Sequence, residues 1–221
     1  FEIGHFDNCE YKNYDIESIK EFPKVITEIK GLRGLNVTIP YKEEIIPYLD
    51  KLSKTAKKIG AVNCVTISKK KKLKGYNTDY HGFKKSIKPL LKDHHKKALI
   101  LGTGGASKAI AYALRSLKIE YDFVSRTADE FQYKYEELDA SIFEEYTIII
   151  NTTPVGTHPN VDDCPNLDYS LFTKKHIAYD LIYNPEETAF LRKAKAQGAV
   201  TKNGYEMLVL QAEKAWKIWN E

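Results

Sequence analysis

Three polar side chains in the first half of the chain stand where their types and spacing suit acid–base chemistry: Lys42, Asn63 and Asp79. Each closes a short apolar run. Lys42 follows Val37-Thr38-Ile39-Pro40-Tyr41, Asn63 ends Gly60-Ala61-Val62, and Asp79 ends Gly75-Tyr76-Asn77-Thr78. Proline cannot donate to a strand ladder, so Pro40 is expected to stop the pairing and present Lys42 at the strand's C-terminal edge. If the three segments converge, an ammonium meets a carboxylate. A lysine held in that way serves as a proton donor or acceptor. The asparagine adds a hydrogen bond to a substrate hydroxyl without adding charge. Spacing alone leaves open a second reading, a surface ion pair with two turn caps.

The second half carries a different signal. Lys97 to Leu101 reads as a strand and is followed at once by GTGGASKAIAYALRSL, a glycine turn opening a helix. That strand-turn-helix context lifts a glycine motif above chance. Gly102 permits the tight turn and Gly104 lets the backbone approach a diphosphate. Gly105 and Ala106 begin the helix, whose free N–H groups and dipole favour an anion. The third motif position holds Ser107 instead of Gly or Ala. The alternative is a helix-packing turn with no ligand. The next strand ends Phe123-Val124-Ser125-Arg126-Thr127. NAD sites carry a carboxylate about 20 positions after the glycines, whereas an arginine and two hydroxyls stand here. A guanidinium pairs with a 2′-phosphate and stacks on adenine, so the expected cofactor is NADP.

These residues need elements to position them. The expected order is a strand over 10–16, a helix over 18–30, a strand over 35–39 and helices over 42–49 and 51–59. A strand pair over 61–67 and 73–76 surrounds a lysine-rich tip, and a helix covers 80–91. Strands then alternate with helices: strands over 97–101, 121–124, 146–151, 177–181 and 199–201, with helices after the glycine turn and over 186–197. A last helix over 206–219 carries Leu208, Ala212, Ala215 and Trp219 on one face. Apolar strands alternating with helices indicate a parallel sheet covered on both faces.

Composition narrows the function classes. The 221 residues suffice for one large domain or two small ones, and 43% hydrophobic with 29% charged residues is a soluble globular balance. No apolar run approaches the roughly 20 residues of a membrane span, so no membrane partner is expected. The opening FEIGHFDNCE lacks a basic start and an apolar core, so no signal segment is expected there. It also lacks an initiator Met, and further residues are expected upstream. A net charge of +4 weakly favours anionic small molecules. Lys69-Lys70-Lys71-Lys72 has no interleaved aromatic residues and reads as a solvated hairpin tip, so no nucleic-acid partner is expected. Cys9, Cys64 and Cys164 are far apart, with no C-x-x-C pair, and indicate reduced thiols in a cytoplasm and no metal.

The motifs "NVTIPYKE", "IGAVNCV", "GYNTDYHGF", "LGTGGASKA", "SRT", "NTTPVG", "YDLIYNPEET" and "NGYEMLVLQA" occur in the order seen in shikimate dehydrogenases. From about Leu35 to the C-terminus the chain resembles that family. The resemblance implies an α/β fold, with a Rossmann-type NADP-binding domain, a smaller α/β substrate domain and a cleft between them. The corresponding division is 1–79, 80–203 and a returning helix over 204–221. The implied reaction is reversible NADPH-dependent reduction of 3-dehydroshikimate to shikimate, with a small-molecule substrate and a monomeric or homodimeric enzyme. Lys42 and Asp79 match the catalytic pair. Thr38, Asn63, Tyr183 and Gln211 match substrate contacts. Gly102, Gly104, Gly105 and Ala106 match the diphosphate turn, and Ser125, Arg126 and Thr127 match the 2′-phosphate region. Thr152, Thr153, Pro154 and Val155 match a loop near the cofactor, and Gly204 and Met207 match positions by the nicotinamide. Family members usually begin with a strand and a serine-rich loop that binds the substrate carboxylate. Nothing like it precedes Leu35, and those residues are expected upstream of Phe1. A quinate or dual quinate/shikimate dehydrogenase and a non-catalytic nucleotide-binding regulatory module are the rival readings.

Overall fold

The computed structural model of the chain describes residues 9–221. Residues 1–8 lie outside the described residues, and with them the start expected to carry no signal segment and to follow the serine loop. The chain divides into a short N-terminal unit ending at Leu32 and a large unit from Arg33 to Glu221.

In the first unit the strand expected over 10–16 does not form. Its alternation is loose and Tyr11 and Tyr14 are about half exposed, so no apolar face is there to be buried. The helix after it does form. Ser18 Oγ accepts the Lys20 N–H at 3.3 Å while the Glu21 carboxylate accepts the Ser18 N–H at 3.0 Å, a capping box. It opens as a 3-10 turn, Ile19–Glu21, and continues as α1 (Phe22–Glu28), with Pro23 in the first turn where a missing N–H leaves no helix bond unmade.

The large unit begins with β1 (Gly34–Asn36), shorter than the expected 35–39. The Val37 N–H still donates to the Asn63 carbonyl at 2.9 Å, but the chain then turns and leaves Ile39 70% exposed. The helix expected over 42–49 is instead a run of turns ending in a 3-10 turn, Ile46–Tyr48. Pro47 has no N–H to donate and its ring crowds the carbonyl four residues back, so an α-helix cannot pass through it. The expected 51–59 helix splits. β2 (Lys51–Leu52) comes first, then Ser53 accepts the Ala56 N–H at 3.1 Å and caps α2 (Lys54–Ile59). β3 (Cys64–Ile67) and β4 (Leu73–Tyr76) form the expected hairpin around the lysine tip. α3 (Asp79–Ile87) follows, extended by a 3-10 turn at Lys88–Leu90.

From there strands alternate with helices except between β7 and β8, which are joined through a 3-10 turn, Tyr169–Leu171: β5 (Lys97–Leu101), α4 (Gly105–Ser116), β6 (Glu120–Val124), α5 (Ala140–Glu145), β7 (Ile148–Asn151), β8 (Ile177–Asp180), α6 (Ala189–Ala196), β9 (Val200–Lys202) and α7 (Tyr205–Asn220). α5, capped by Asp139, is an addition that the apolar spacing did not announce.

The smaller sheet has order β1-β3-β4-β2, antiparallel except for the parallel β2–β4 pair. The larger has order β6-β5-β7-β8-β9 and is parallel throughout, so the expected α/β class with a Rossmann-type sheet and a smaller sheet is what forms. Both faces of the parallel sheet are covered. Ile100, Ile150 and Tyr179 pack under Phe83, Ile110 and Leu114, while Leu99, Leu101 and Ile149 pack with Phe143, Phe172 and Phe190. The strand order reverses between β5 and β7, and the carboxyl ends of strands at such a switch point are where ligands bind in open α/β sheets.

α7 ties the two sheets together. A Cβ at Gly82 of α3 would fall 2.5 Å from the Met207 carbonyl oxygen, so only glycine permits that approach. Near the other end of the helix, Trp219 Nε1 donates to the Val65 carbonyl of β3 at 3.0 Å. The buried face of α7 is Met207, Ala215 and Ile218; Ala212, expected inside, is exposed. Packing against α3 on one side and β3 on the other turns the helix about one residue from the face that apolar spacing suggested.

Candidate active site

The turn that replaces the expected helix after β1 carries Lys42. Its backbone is pinned at three places. The Tyr41 N–H donates to the Thr38 carbonyl at 2.9 Å, the Ile45 N–H to the Tyr41 carbonyl at 3.0 Å, and the Val62 N–H to the Lys42 carbonyl at 2.7 Å. Ile45, 1% exposed, anchors the turn in the core. Asn63 precedes β3 and is stitched to both neighbours: its N–H donates to the Tyr76 carbonyl and its carbonyl accepts from Val37. Asp79 is the first residue of α3, where the helix dipole favours a carboxylate.

These three side chains meet. Lys42 Nζ donates to Asp79 Oδ2 at 2.7 Å, and Asn63 Nδ2 donates to Asp79 Oδ1 at 2.8 Å. The pair is largely buried, with side-chain exposures of 14% and 8%. Two charges leave water here, and an ion pair in that setting persists only when its remaining groups are hydrogen-bonded. Asp79 meets the condition with both oxygens engaged. The network continues into Thr78, whose N–H donates to Asn63 Oδ1 at 2.6 Å and whose hydroxyl donates to Gln211 Oε1 at 3.2 Å. Asn63 Nδ2 also lies 3.3 Å from Gln211 Oε1. So Lys42, Asn63, Asp79 and Gln211 form one polar cluster built from four elements. Thr38 and Tyr183 stand outside it: Thr38 is exposed, and Tyr183 is 49% exposed in the loop after β8.

The glycine turn lies beside this cluster. Gly102 has φ +98°, a left-handed conformation that side chains rarely adopt, and a Cβ there would meet Thr153 Cγ2 at 2.8 Å. A Cβ at Gly104 would meet nothing within 4 Å, and no side chain caps the start of α4. A Cβ at Gly105 would stand 3.3 Å from Lys42 Cβ, which puts the first turn of α4 against the lysine's own turn. Lys108 of α4 also pairs with Glu43. Ser107, the departure from the glycine pattern, is buried and donates its hydroxyl to the Gly104 carbonyl at 2.7 Å, so it acts as a small packing residue that braces the turn. Open space, an uncapped helix start and a left-handed glycine are what a dinucleotide diphosphate requires, so Gly102, Gly104, Gly105 and Ala106 fit the expected group.

The other expected cofactor residues lie after β6, after β7 and at the start of α7. Ser125 follows β6, is buried and accepts the Thr127 N–H at 3.2 Å, while Arg126 and Thr127 are exposed. Thr152 donates its hydroxyl to the Leu101 carbonyl at 2.7 Å, and Thr153 donates both N–H and O–H to Asn151 Oδ1 at 3.0 and 2.7 Å. Pro154 and Val155 complete that loop, with the Val155 N–H on Thr153 Oγ1 at 3.3 Å. Gly204 has a steric reason of its own: a Cβ there would fall 2.0 Å from the Leu181 carbonyl oxygen. Met207 is 7% exposed and packs into the core with Phe83 and Tyr179. Two features escaped the sequence reading. Thr78, within the run that Asp79 closes, carries no local signal for its bonds to Asn63 and Gln211, and the Glu43–Lys108 pair joins segments 65 positions apart. Among the described residues no helix is long and apolar enough to cross a membrane.

Comparison with known proteins gives a consistent result. Residues 4–65 match the family described as the shikimate dehydrogenase substrate binding domain. The shikimate dehydrogenase (NADP(+)) of Caldanaerobacter subterraneus subsp. tengcongensis is 42% identical over 207 residues, 86% of this chain and 72% of that protein. The crystal structure of shikimate dehydrogenase 1 from Peptoclostridium difficile superposes with a TM-score of 0.81 at 41% identity, covering 100% of this chain and 83% of that one. That of the Thermus thermophilus enzyme, in complex with NADP(H) and shikimate, gives 0.79 at 34% identity, covering 91% and 78%. With identity at this level over most of its own length and most of its relatives', the chain belongs to the shikimate dehydrogenase family.

Proposed function

We propose that the protein is a shikimate dehydrogenase, catalysing reversible NADPH-dependent reduction of 3-dehydroshikimate to shikimate in the route to aromatic amino acids. The observation that carries this reading is the Lys42–Asp79 pair held against the first turn of α4. In this reading residues 1–79 form the substrate domain, 80–203 the NADP-binding domain, and 204–221 the helix that returns. The enzyme works in the cytoplasm as a monomer or homodimer.

When bound, the nicotinamide supplies hydride to the substrate's carbonyl carbon. Gly102 to Ala106 hold the diphosphate, Arg126 with Ser125 and Thr127 holds the 2′-phosphate, and Thr152 to Val155, Gly204 and Met207 border the nicotinamide. The chain's own work is on the oxygen. Negative charge develops there as the carbonyl is reduced, and the Lys42 ammonium stabilises it and gives it a proton. In the reverse direction the Lys42 amine takes that proton from the hydroxyl. Asp79 keeps the ammonium aimed. Asn63 and Thr38 bind the substrate's hydroxyls, Gln211 on the returning helix also binds the substrate, and Tyr183 lines the cleft. Mixing protein, shikimate and NADP⁺ and following the absorbance of the reduced cofactor tests this. Steady turnover supports it, and no reduction at any shikimate concentration overturns it.

A further inference from the structure

We propose that Asp180 is a positioning residue that holds two loops in one fixed geometry: 151–156, which borders the cofactor in the reading above, and 181–188, which carries Tyr183. The inference rests on the dehydrogenase reading above and assigns a role to a residue outside the reacting set. Asp180 is the last residue of β8 and fully buried. Its Oδ1 accepts from Asn151 Nδ2 at 3.1 Å and from the Ile182 N–H at 3.1 Å, and its Oδ2 accepts from the Thr188 hydroxyl at 2.6 Å. Asn151 is its register partner on β7.

Each partner leads somewhere. Asn151 Oδ1 accepts both donors of Thr153, and the Thr153 methyl group packs against Gly102. One amide therefore separates the carboxylate from the loop that braces the glycine turn. Ile182 precedes Tyr183, and its carbonyl accepts the Gly204 N–H at 3.0 Å. Thr188 Oγ1 accepts the Leu191 N–H at 3.3 Å and caps α6, closing the far end of the second loop. Both loops thus start or end on the same two oxygens.

An ionised carboxylate only accepts hydrogen bonds. Burial pushes the Asp180 carboxyl up to about 6, and at neutral pH it remains mainly ionised. It therefore fixes the orientation of the Asn151 amide: Nδ2 faces Asp180, which leaves Oδ1 for Thr153. An uncharged amide at position 180 removes that constraint. Burying a charge is costly where packing alone is at stake, so a carboxylate here indicates a demand for directed acceptors.

The test uses Asp180→Asn and the swap Asn151→Asp with Asp180→Asn, beside the unchanged protein. Asp180→Asn is expected to weaken NADP⁺ binding, measured by titration without substrate, about tenfold, with kcat changed far less. Amide exchange at Thr153, Val155 and Ile182 is expected to speed up by about the same factor while Leu99 and Ile100 stay protected. The swap, which restores a carboxylate–amide pair, is expected to recover part of both. Unaltered NADP⁺ affinity together with unaltered exchange at Thr153 overturns the proposal. So does uniform acceleration that includes Leu99 and Ile100, because that is general destabilisation. Should Asp180→Asn fail to fold, Thr188→Val removes one donor and is read the same way. If the unchanged protein binds NADP⁺ but does not oxidise shikimate, the functional reading fails while the exchange data still decide the role of Asp180.

Discussion

A Cβ built on Gly105 stands 3.3 Å from Cβ of Lys42. The first turn of α4 and the turn carrying the lysine are therefore in contact, and the gap has no room for a larger side chain. Gly105→Val is expected to push the Lys42 turn aside and cost about 1–3 kcal/mol through overpacking. Urea unfolding should show that loss, and steady-state kinetics should show kcat reduced along with cofactor affinity. Unchanged kinetics in a folded Gly105→Val protein would mean that the contact has no part in holding Lys42.

Thr78 holds Asn63 and Gln211 together from a fully buried position. Thr78→Val keeps the shape and the backbone donor but removes the hydroxyl, so Gln211 Oε1 and Asn63 Nδ2 each lose one hydrogen bond while keeping the one between them. The expected loss is about 0.5–1.5 kcal/mol, the net contribution of a hydrogen bond. The KM for shikimate should rise more than the KM for NADP⁺, because the role proposed for the disturbed amides is to bind substrate. An equal rise in both would contradict this division of labour.

Much of this was legible in the sequence, for identifiable reasons. β5 appeared within its observed bounds, and β7 and β8 within a residue or two, because strands buried on both faces are apolar throughout and end where polar residues begin. The failures cluster where tertiary contacts overrule local spacing. Residues 42–49 have helical spacing, yet Pro47 and the pull of Ile45 into the core make a turn there. The face of α7 was misread because it packs against two different elements. At the site, the chemistry of Lys42, Asn63 and Asp79 was readable from residue type, but their convergence depends on strand pairing that no local pattern encodes. Asp180 was hidden within an apolar strand motif, where its burial is visible only in three dimensions.

Gly204 is expected to fail by sterics and not by chemistry. A methyl group there would meet the Leu181 carbonyl oxygen at 2.0 Å, and backbone atoms cannot swing away as side chains do. Gly204→Ala should lower stability by about 1–3 kcal/mol or more, visible as a lower thermal midpoint. A variant with an unchanged midpoint would mean that the start of α7 sits farther from Leu181 than described.

The Asp180 carboxyl, raised by burial from 3.8 to about 6, links folding to pH. Its hydrogen-bond partners Thr188, Asn151 and the Ile182 N–H are all neutral, so no neighbouring cation among them offsets the burial. A folded-state value above the unfolded one favours the folded state most when the group is protonated. That contribution is complete below about pH 3.8 and is lost as pH rises through about 6. Asp180→Asn cannot titrate. The stability of the unchanged protein relative to this variant should therefore fall as pH rises from about 4 to about 7 in urea unfolding. A difference that stays flat, or grows with pH, would contradict the buried-carboxyl assignment.

The central claim is that the Lys42 nitrogen, aimed by Asp79 and set against α4, is the acid and base of a ketone reduction. The most direct measurement is kcat for shikimate oxidation by Lys42→Ala, beside NADPH binding by the same variant. The account predicts NADPH affinity close to that of the unchanged protein and turnover lowered by about 10²–10⁴-fold. Near-normal turnover in the variant would contradict it.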